Sequence, residues 1–137
     1  MSIADDIPIR SNGEEILASW FNSFRTTLIN LYGTESISLG SFSGSSSQTG
    51  ANVTSLVFDN TATRRADIEY LIVTATKVES GDFRLLYDGT NWTKFDGAVE
   101  GVDSGITLDV DASTGQVEYD SGAETFTLAY KVTTFNI

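Results

Sequence analysis

The chain has 137 residues, with 19 Asp and Glu against 8 Lys and Arg, and it contains neither His nor Cys. Without those two residue types the sequence offers no disulfide, no zinc or haem site of the usual ligand set, no cysteine nucleophile and no Ser-His-Asp triad. The formal net charge of −11 opposes binding to phosphate backbones, so we expect no nucleic-acid partner, and the lack of any run of about 18 apolar residues predicts no membrane insertion.

The first predicted element is a helix over residues 14–32. Ser11 and Glu14 have the spacing of a capping box, and Gly33 stands where a left-handed residue commonly ends a helix. Between them, apolar residues recur at spacings of four and three, which is typical of a helix that packs through one seam. The residues of this seam, with one that widens it, are Leu17, Trp20, Phe21, Phe24, Leu28 and Leu31.

This apolar seam is wider than contact with a single neighbouring element requires. Two interpretations stay open: the helix packs across the sheet of its own domain, or the helices of several copies form a symmetric bundle. In the second interpretation the six seam residues are an oligomer interface. Residues 37–52 are rich in Gly and Ser, and we interpret them as a connection between an N-terminal arm and helix, 1–36, and a β domain, 53–137.

Alternating segments separated by turn residues make up the predicted β domain. Along residues 65–78, Ala66, Ile68, Ile72 and Val78 share one face, and Ser80 with Gly81 is interpreted as the following turn. A second turn is predicted at residues 88–91. No helical stretch separates the strands, which excludes a parallel α/β fold. The predicted fold class is mainly β, an antiparallel, jelly-roll-like β-sandwich preceded by one N-terminal α-helix.

Carboxylates are the main candidates for chemistry. A glycosidase-like pair would come from acids in or beside turns, which are Asp82, Asp88, Asp96, Glu100 and Asp103. Their spacing selects no pair, and such acids ordinarily bond the local backbone. Residues 109–120 place oxygen ligands at several positions of a calcium-loop pattern, although a β-hairpin explains the same residues. We therefore predict no catalytic residue, no cofactor and no metal site, and leave calcium binding open.

Four aromatic residues raise the question of sugar binding. Trp92, Tyr87, Phe95 and Tyr119 would together form a stacking platform on a sandwich. Alternation places Tyr87 and Tyr119 with the inward-facing residues, which favours core packing for both. Trp92 follows a turn and stays the candidate glycan contact. A carbohydrate-binding module that recognises a receptor glycan is accordingly the alternative function.

Several stretches resemble proteins of tailed bacteriophages. Residues 19–29 (SWFNSFRTTLI) resemble the leading helix of small virion proteins. Similar to β-modules of phage tail fibres, head fibres and decoration proteins are residues 66–73 (ADIEYLIV), 105–110 (GITLDV), 115–119 (GQVEY) and 126–132 (FTLAYKV).

This resemblance implies a non-enzymatic virion structural protein: a short trimeric fibre, knob or decoration subunit on the exterior of a particle that is assembled in the host cytoplasm. The partners that it implies are further copies of the chain, in a homotrimer, and other virion proteins, with a host surface glycan as a candidate ligand. A helix with an apolar seam suits such a trimer, because the helices would bundle on its axis.

Overall fold

The computed structural model describes residues 17–27 and 34–136, and the chain divides into two units between Thr34 and Glu35. In the first unit, residues 17–27 form a helix, α1, within the span predicted to be helical. Leu28 and Leu31 of the predicted seam lie outside the described residues. No helix in the described part of the chain is both long and apolar enough to cross a lipid bilayer.

Within residues 34–136, eight antiparallel strands follow α1 along the chain. They are β1 (Thr34–Gly44), β2 (Ala51–Val57), β3 (Thr63–Thr74), β4 (Val78–Tyr87), β5 (Trp92–Gly101), β6 (Thr107–Val110), β7 (Gln116–Asp120) and β8 (Phe126–Asn136). Five of them form one sheet in the order β1-β8-β3-β4-β5, and three form a second sheet in the order β2-β7-β6. The two sheets make an open, sandwich-like fold, which confirms the predicted fold class.

The first and last strands pair as in a jelly roll, and the middle strands are joined in sequence. β1 pairs with β8 and β2 with β7, so the two ends of the β domain lie together, whereas β3, β4 and β5 form a meander. Register between β3 and β8 sets Ile68 opposite Val132 and Ile72 opposite Leu128. All four side chains are at most 2% exposed and lie in the core between the sheets. The shared inward face predicted for Ala66, Ile68 and Ile72 is confirmed.

The turn after β3 lies at residues 75–77, so its predicted position at residues 80–81 was wrong. The Thr74 hydroxyl accepts the backbone N–H of Lys77 at 2.9 Å, and the Thr74 N–H is bonded to the Lys77 carbonyl oxygen at the same distance. This closed turn ends β3, and Val78 begins β4 with 52% of its surface exposed. Val78 therefore does not share the inward face on which the sequence pattern placed it.

Gly81, which was interpreted as a turn residue, lies inside β4 and pairs with Tyr70 of β3. A Cβ atom at residue 81 would stand 2.6 Å from the Tyr70 hydroxyl oxygen, closer than non-bonded atoms approach. Glycine is needed here because it leaves room for a tyrosine ring on the neighbouring strand, which is one of the regular uses of glycine within a sheet.

Residues 37–52 are not a connection, because they contain most of β1 and the start of β2. Two of the glycines that suggested a flexible linker serve packing. Gly40 and Gly44 lie against the rings of Tyr130 and Phe126, and a Cβ atom at either glycine would collide with the ring beside it. The β domain thus begins with β1 rather than at residue 53, and its first strand is built largely from Ser and Gly.

Candidate functional site

α1 carries one exposed apolar face. Leu17, Trp20, Phe21 and Phe24 are each between 51% and 58% exposed. The Trp20 ring stacks on Phe24 with a centroid distance of 5.5 Å and an interplanar angle of 4°, and it meets Phe21 edge-on at 5.1 Å. The rings therefore form one continuous apolar surface on the helix. These four residues are the described members of the predicted oligomer interface.

The remaining surface of α1 is small or polar. Its other residues are Ala18, Ser19, Asn22, Ser23, Arg25, Thr26 and Thr27. The hydroxyls of Thr26 and Thr27 donate to the carbonyl oxygens of Asn22 and Ser23, at 2.9 and 3.0 Å. α1 is therefore amphipathic, with apolar side chains on one face and small or polar ones on the other.

A second candidate surface is a cleft of about 640 Å³ over β3, β4 and β5. A depression of about 430 Å³ adjoins it, and the two share Tyr70, Asp82, Phe83 and Asp96. Together they are termed the acidic cleft. The carboxylates that line it, besides Asp67 and Glu69 at its margin, are Glu79, Asp82, Asp96, Glu100 and Asp103.

A break in the pairing of β4 with β5 shapes the acidic cleft. In the interval between Gly81 and Phe83, β5 has one residue more than β4, which is a β-bulge. Asp82 lies at this bulge, and its Oδ1 accepts the backbone N–H of Ala98 at 3.1 Å. A side chain at Gly97 would collide with the Asp82 carboxylate. Glycine at residue 97 thus allows the extra residue of β5 and the bond from Ala98 to Asp82.

Glu79 is the buried acid of the cleft, with 6% of its surface exposed. Its Oε1 accepts the backbone N–H and the hydroxyl of Ser104 at 2.8 and 2.9 Å, and its Oε2 accepts the Tyr70 hydroxyl at 3.1 Å. Burial above all, and then the charge and hydrogen bond of Glu79, raise the pKa of Tyr70 to about 12; the charges of Asp96 and Asp82 contribute less. Tyr70 is therefore held as a neutral donor that fixes Glu79.

The structure brings four of the five acids named from the sequence, Asp82, Asp96, Glu100 and Asp103, to the acidic cleft. Asp88 lies apart, in the turn between β4 and β5, where its carboxylate accepts two backbone N–H groups that lower its pKa. That turn was predicted correctly.

Sequence reasoning missed Glu79, although a signal for it exists. Phe83 and Leu85 are buried and alternate along β4, and the same alternation continued towards the start of the strand places Glu79 on the inward face. The mistaken turn at residues 80–81 interrupted that alternation. Within residues 17–27 and 34–136, no group of three or more carboxylates is arranged to hold a metal ion.

Trp92 is buried, which contradicts its prediction as an exposed glycan contact. Only 3% of its surface is accessible, and its ring packs against Tyr87 and Phe58 at centroid distances of 5.1 and 5.9 Å. Its indole N–H donates to the Asn60 side-chain oxygen at 2.6 Å. The ring also fills the space above Gly115, whose φ of 74° and missing side chain allow the approach. Trp92 offers no free face on which a sugar could stack.

Residues 109–120 form the β-hairpin of β6 and β7, which confirms the hairpin interpretation of this segment. The Asp111 carboxylate accepts the hydroxyl and N–H of Ser113 at 2.7 and 2.8 Å, and these bonds lower its pKa. Asp109 accepts the N–H of Val110, and Asp120 accepts that of Gly50. The three carboxylates of the calcium-loop pattern are thus each bonded to the chain itself.

Replacing Asp67 by asparagine is expected to test the ion pairs on the exposed face of β3. Arg65 donates to both Asp67 oxygens, at 3.0 and 2.8 Å, and Arg84 donates to one at 3.0 Å. The hydrogen bonds from Arg65, despite partial burial, hold the pKa of Asp67 below its usual range. Because these groups are partly exposed, we expect a loss of less than about 1 kcal/mol in the free energy of unfolding at pH 7.

A depressed carboxyl pKa stabilises the fold above the unfolded pKa of about 3.9, and this contribution is lost as the pH falls through the folded pKa. The difference between the parent and Asp67→Asn in urea denaturation should therefore shrink below about pH 4. Glu100→Gln, at an exposed position of β5, is the control. A difference in stability that stayed constant with pH would contradict the lowered pKa of Asp67 and its attribution to the hydrogen bonds from Arg65.

Two surfaces thus present themselves for function, the apolar face of α1 and the acidic cleft, and they differ in kind. The apolar face consists of apolar side chains. In the cleft, by contrast, Glu79 and Asp82 accept hydrogen bonds from Ser104 and Ala98 of the same chain. Comparison with protein-family models, with curated proteins and with solved structures finds no match to this chain.

Proposed function

We propose that the chain is a non-enzymatic structural subunit on the exterior of a bacteriophage particle, a short trimeric fibre, knob or decoration protein. It assembles through the apolar face of α1 and displays the β-sandwich outward. The observation that carries this proposal is the exposure, by more than half, of Leu17, Trp20, Phe21 and Phe24 on one helix face. The resemblance of residues 19–29 and of the later β segments to phage virion proteins supplies the context.

Burial of this face would drive association. A fully buried aromatic side chain buries roughly 150–250 Å², and the three on α1 are 51–58% exposed, so association could bury about half of that area for each, at about 25 cal/mol per Å². Isolated helices of this length are marginal in water, so most of the stability of α1 must come from packing. A bundle of three helices around an axis would bury the apolar face and at the same time supply the packing that stabilises α1.

The chemistry of the acids supports a structural role over a catalytic one. Within the described part of the chain, the carboxyls whose pKa is clearly shifted all have it lowered, because they accept hydrogen bonds. These are Asp59, Asp67, Asp88, Asp111 and Glu124. A carboxyl that acts as a general acid at neutral pH needs a raised pKa. The proposal includes no glycan contact at Trp92, because that side chain is buried.

Phe24→Asp is expected to dissociate the assembly. By size-exclusion chromatography with light scattering, the parent should have three times the chain mass of 14.8 kDa, and the variant should have that mass once. An aspartate in the bundle would be a buried, unpaired charge, which costs several kcal/mol. Ser23→Asp is the matched control, because it adds the same charge to the polar face of α1. A monomeric parent, or equal behaviour of the two variants, would contradict assembly through α1.

The particle context has its own test. Mass spectrometry of purified phage particles should find the chain, and labelled antibodies against the β domain should bind intact particles. Antibodies on the head would assign a decoration role, and antibodies on the tail a fibre role. Absence of the chain from particles would overturn the virion assignment even if the chain is a trimer.

A further inference from the structure

β1 is an unusually open sheet edge. It has 11 residues, pairs with β8 on one side, and no other described strand pairs with its second side. A free edge presents unpaired backbone N–H and C=O groups that can bind another strand. On this edge, Ile37 and Leu39 are 61% and 78% exposed, and Leu39 is the most exposed large apolar side chain in the described part of the chain.

The other sheet edges carry features that discourage pairing. β5 has Lys94, Asp96 and Glu100 together with a β-bulge. β6 has only four residues, and the pairing of β2 with β7 shifts register along the strand. Charges, bulges and short length are the usual means by which natural sheets avoid edge-to-edge contact. From residue 36 to its end at Gly44, β1 contains no charged residue and no proline.

The absence of charge extends beyond β1. No charged residue lies between Glu35 and Asp59, although the whole chain carries a net charge of −11. Residues 36–58 include both β1 and β2. Phe42 of β1 packs on Tyr119, which pairs with Ala51 of β2, so β1 lies beside the start of β2. Val53, Leu56 and Phe58 further along are buried. The surface formed by the exposed residues within 36–49 is termed the uncharged side.

We infer that the uncharged side is the surface through which the sandwiches of neighbouring copies of this chain contact each other, with the open edge of β1, Ile37 and Leu39 buried between them. Charge selects the occupant. Two copies with a net charge of −11 repel each other wherever their acidic surfaces meet, and residues 36–49 add no charge of their own to that repulsion. A basic partner would instead be drawn to the acidic surfaces.

This inference rests on the proposed function in one respect, because it requires self-association, but it concerns the β domain rather than α1. In a trimer, the uncharged sides of the three copies would face the symmetry axis. Each β1 edge would then contact the next copy, which closes a ring of three equivalent contacts and leaves no β1 edge open for further growth.

The experiment compares Leu39→Lys with Val99→Lys in the full chain. Val99 is 60% exposed on β5, so the control adds the same charge to the opposite edge of the five-stranded sheet. We expect Leu39→Lys to raise the dissociation constant measured by analytical ultracentrifugation at least about tenfold, because a charge would replace an apolar contact, and Val99→Lys to leave it unchanged. Ile37→Lys provides a second variant on the same edge, and far-UV circular dichroism checks that each variant folds.

Hydrogen exchange of the β1 amides gives a readout specific to the edge. In the parent, protection of these amides should increase with protein concentration, and in Leu39→Lys it should be lost. Protection that does not depend on concentration, free exchange of β1 amides within the oligomer, or an equal effect of Val99→Lys would overturn the inference.

The two proposals fail in different ways. If Phe24→Asp dissociates the oligomer while Leu39→Lys and Ile37→Lys change neither affinity nor exchange, assembly through α1 stands and the contact through the uncharged side is wrong. If the oligomer survives Phe24→Asp but not Leu39→Lys, the reverse holds. A parent that is monomeric at every concentration overturns both.

Discussion

Replacing Trp92 by alanine is expected to lower the free energy of unfolding by about 3–5 kcal/mol, the range seen when a large buried aromatic side chain is removed. The ring is 3% exposed and packs against Tyr87 and Phe58, so its loss leaves a cavity. It also removes the donor from the Asn60 side-chain oxygen. Urea denaturation at neutral pH measures the change.

Phe95→Ala is the control for Trp92→Ala, because Phe95 lies on the same strand and is 50% exposed. We expect this control to cost less than about 1 kcal/mol, as ordinary surface substitutions do. Fluorescence adds an independent reading: in a Trp20→Phe background the remaining emission comes from Trp92, and it should shift to longer wavelength on unfolding. Equal costs for the two alanine variants, or no spectral shift, would contradict burial of Trp92.

Glu79→Ala is expected to cost about 2–4 kcal/mol, because it leaves buried donors without an acceptor. The backbone N–H and hydroxyl of Ser104 and the hydroxyl of Tyr70 all bond this carboxylate. Glu79→Gln keeps one acceptor oxygen and should cost less. Glu100→Ala removes an exposed acid of the same cleft and should change stability by no more than about 0.5 kcal/mol. Equal losses of stability in Glu79→Ala and Glu100→Ala would contradict the role of Glu79 as the acceptor for the buried donors of Ser104 and Tyr70.

The pH dependence of stability gives a second test of Glu79. The pKa of Tyr70 is raised to about 12 in the folded chain, whereas an unfolded tyrosine titrates near 10. A raised pKa stabilises the fold below the unfolded value, and this stabilisation is lost as the pH rises through the folded one. The parent should therefore lose stability between about pH 10 and 12. Glu79→Ala should lose less over this range, because the charge and hydrogen bond that help raise the pKa of Tyr70 are gone.

The strands that could be predicted from the sequence are those in which apolar and polar residues alternate. Ile68 and Ile72 of β3, and Leu128 and Val132 of β8, mark their inward faces directly, and all four are buried. β1 escaped prediction because its inward positions include Gly40 and Gly44, while the rings that fill the space belong to another strand. A strand whose partner supplies the bulk gives no hydrophobic alternation of its own.

The surroundings of Trp92 and Glu79 depend on residues distant in sequence. Trp92 was expected at the surface because it follows a turn, but Asn60, 32 residues away, accepts its N–H, and Gly115 makes room for its ring. Glu79 is fixed by Ser104, 25 residues further along the chain. The apolar face of α1, in contrast, follows from helical periodicity within a few residues, so sequence alone could place Leu17, Trp20, Phe21 and Phe24 together.

The position of β8 between β1 and β3 affects how the chain folds as it is made. β1 cannot join its sheet until β8 has been synthesised, and Ser36 and Thr134, whose hydroxyls bond across the β1–β8 pair, are 98 residues apart. At about 5–20 residues per second, the ribosome needs roughly 5–20 s to cover that distance. For this period the nascent chain carries a strand that has no charged residue from residue 36 onward and neither edge of which is paired. β1 therefore stays unpaired for longer than β2, whose partner β7 is made before β8.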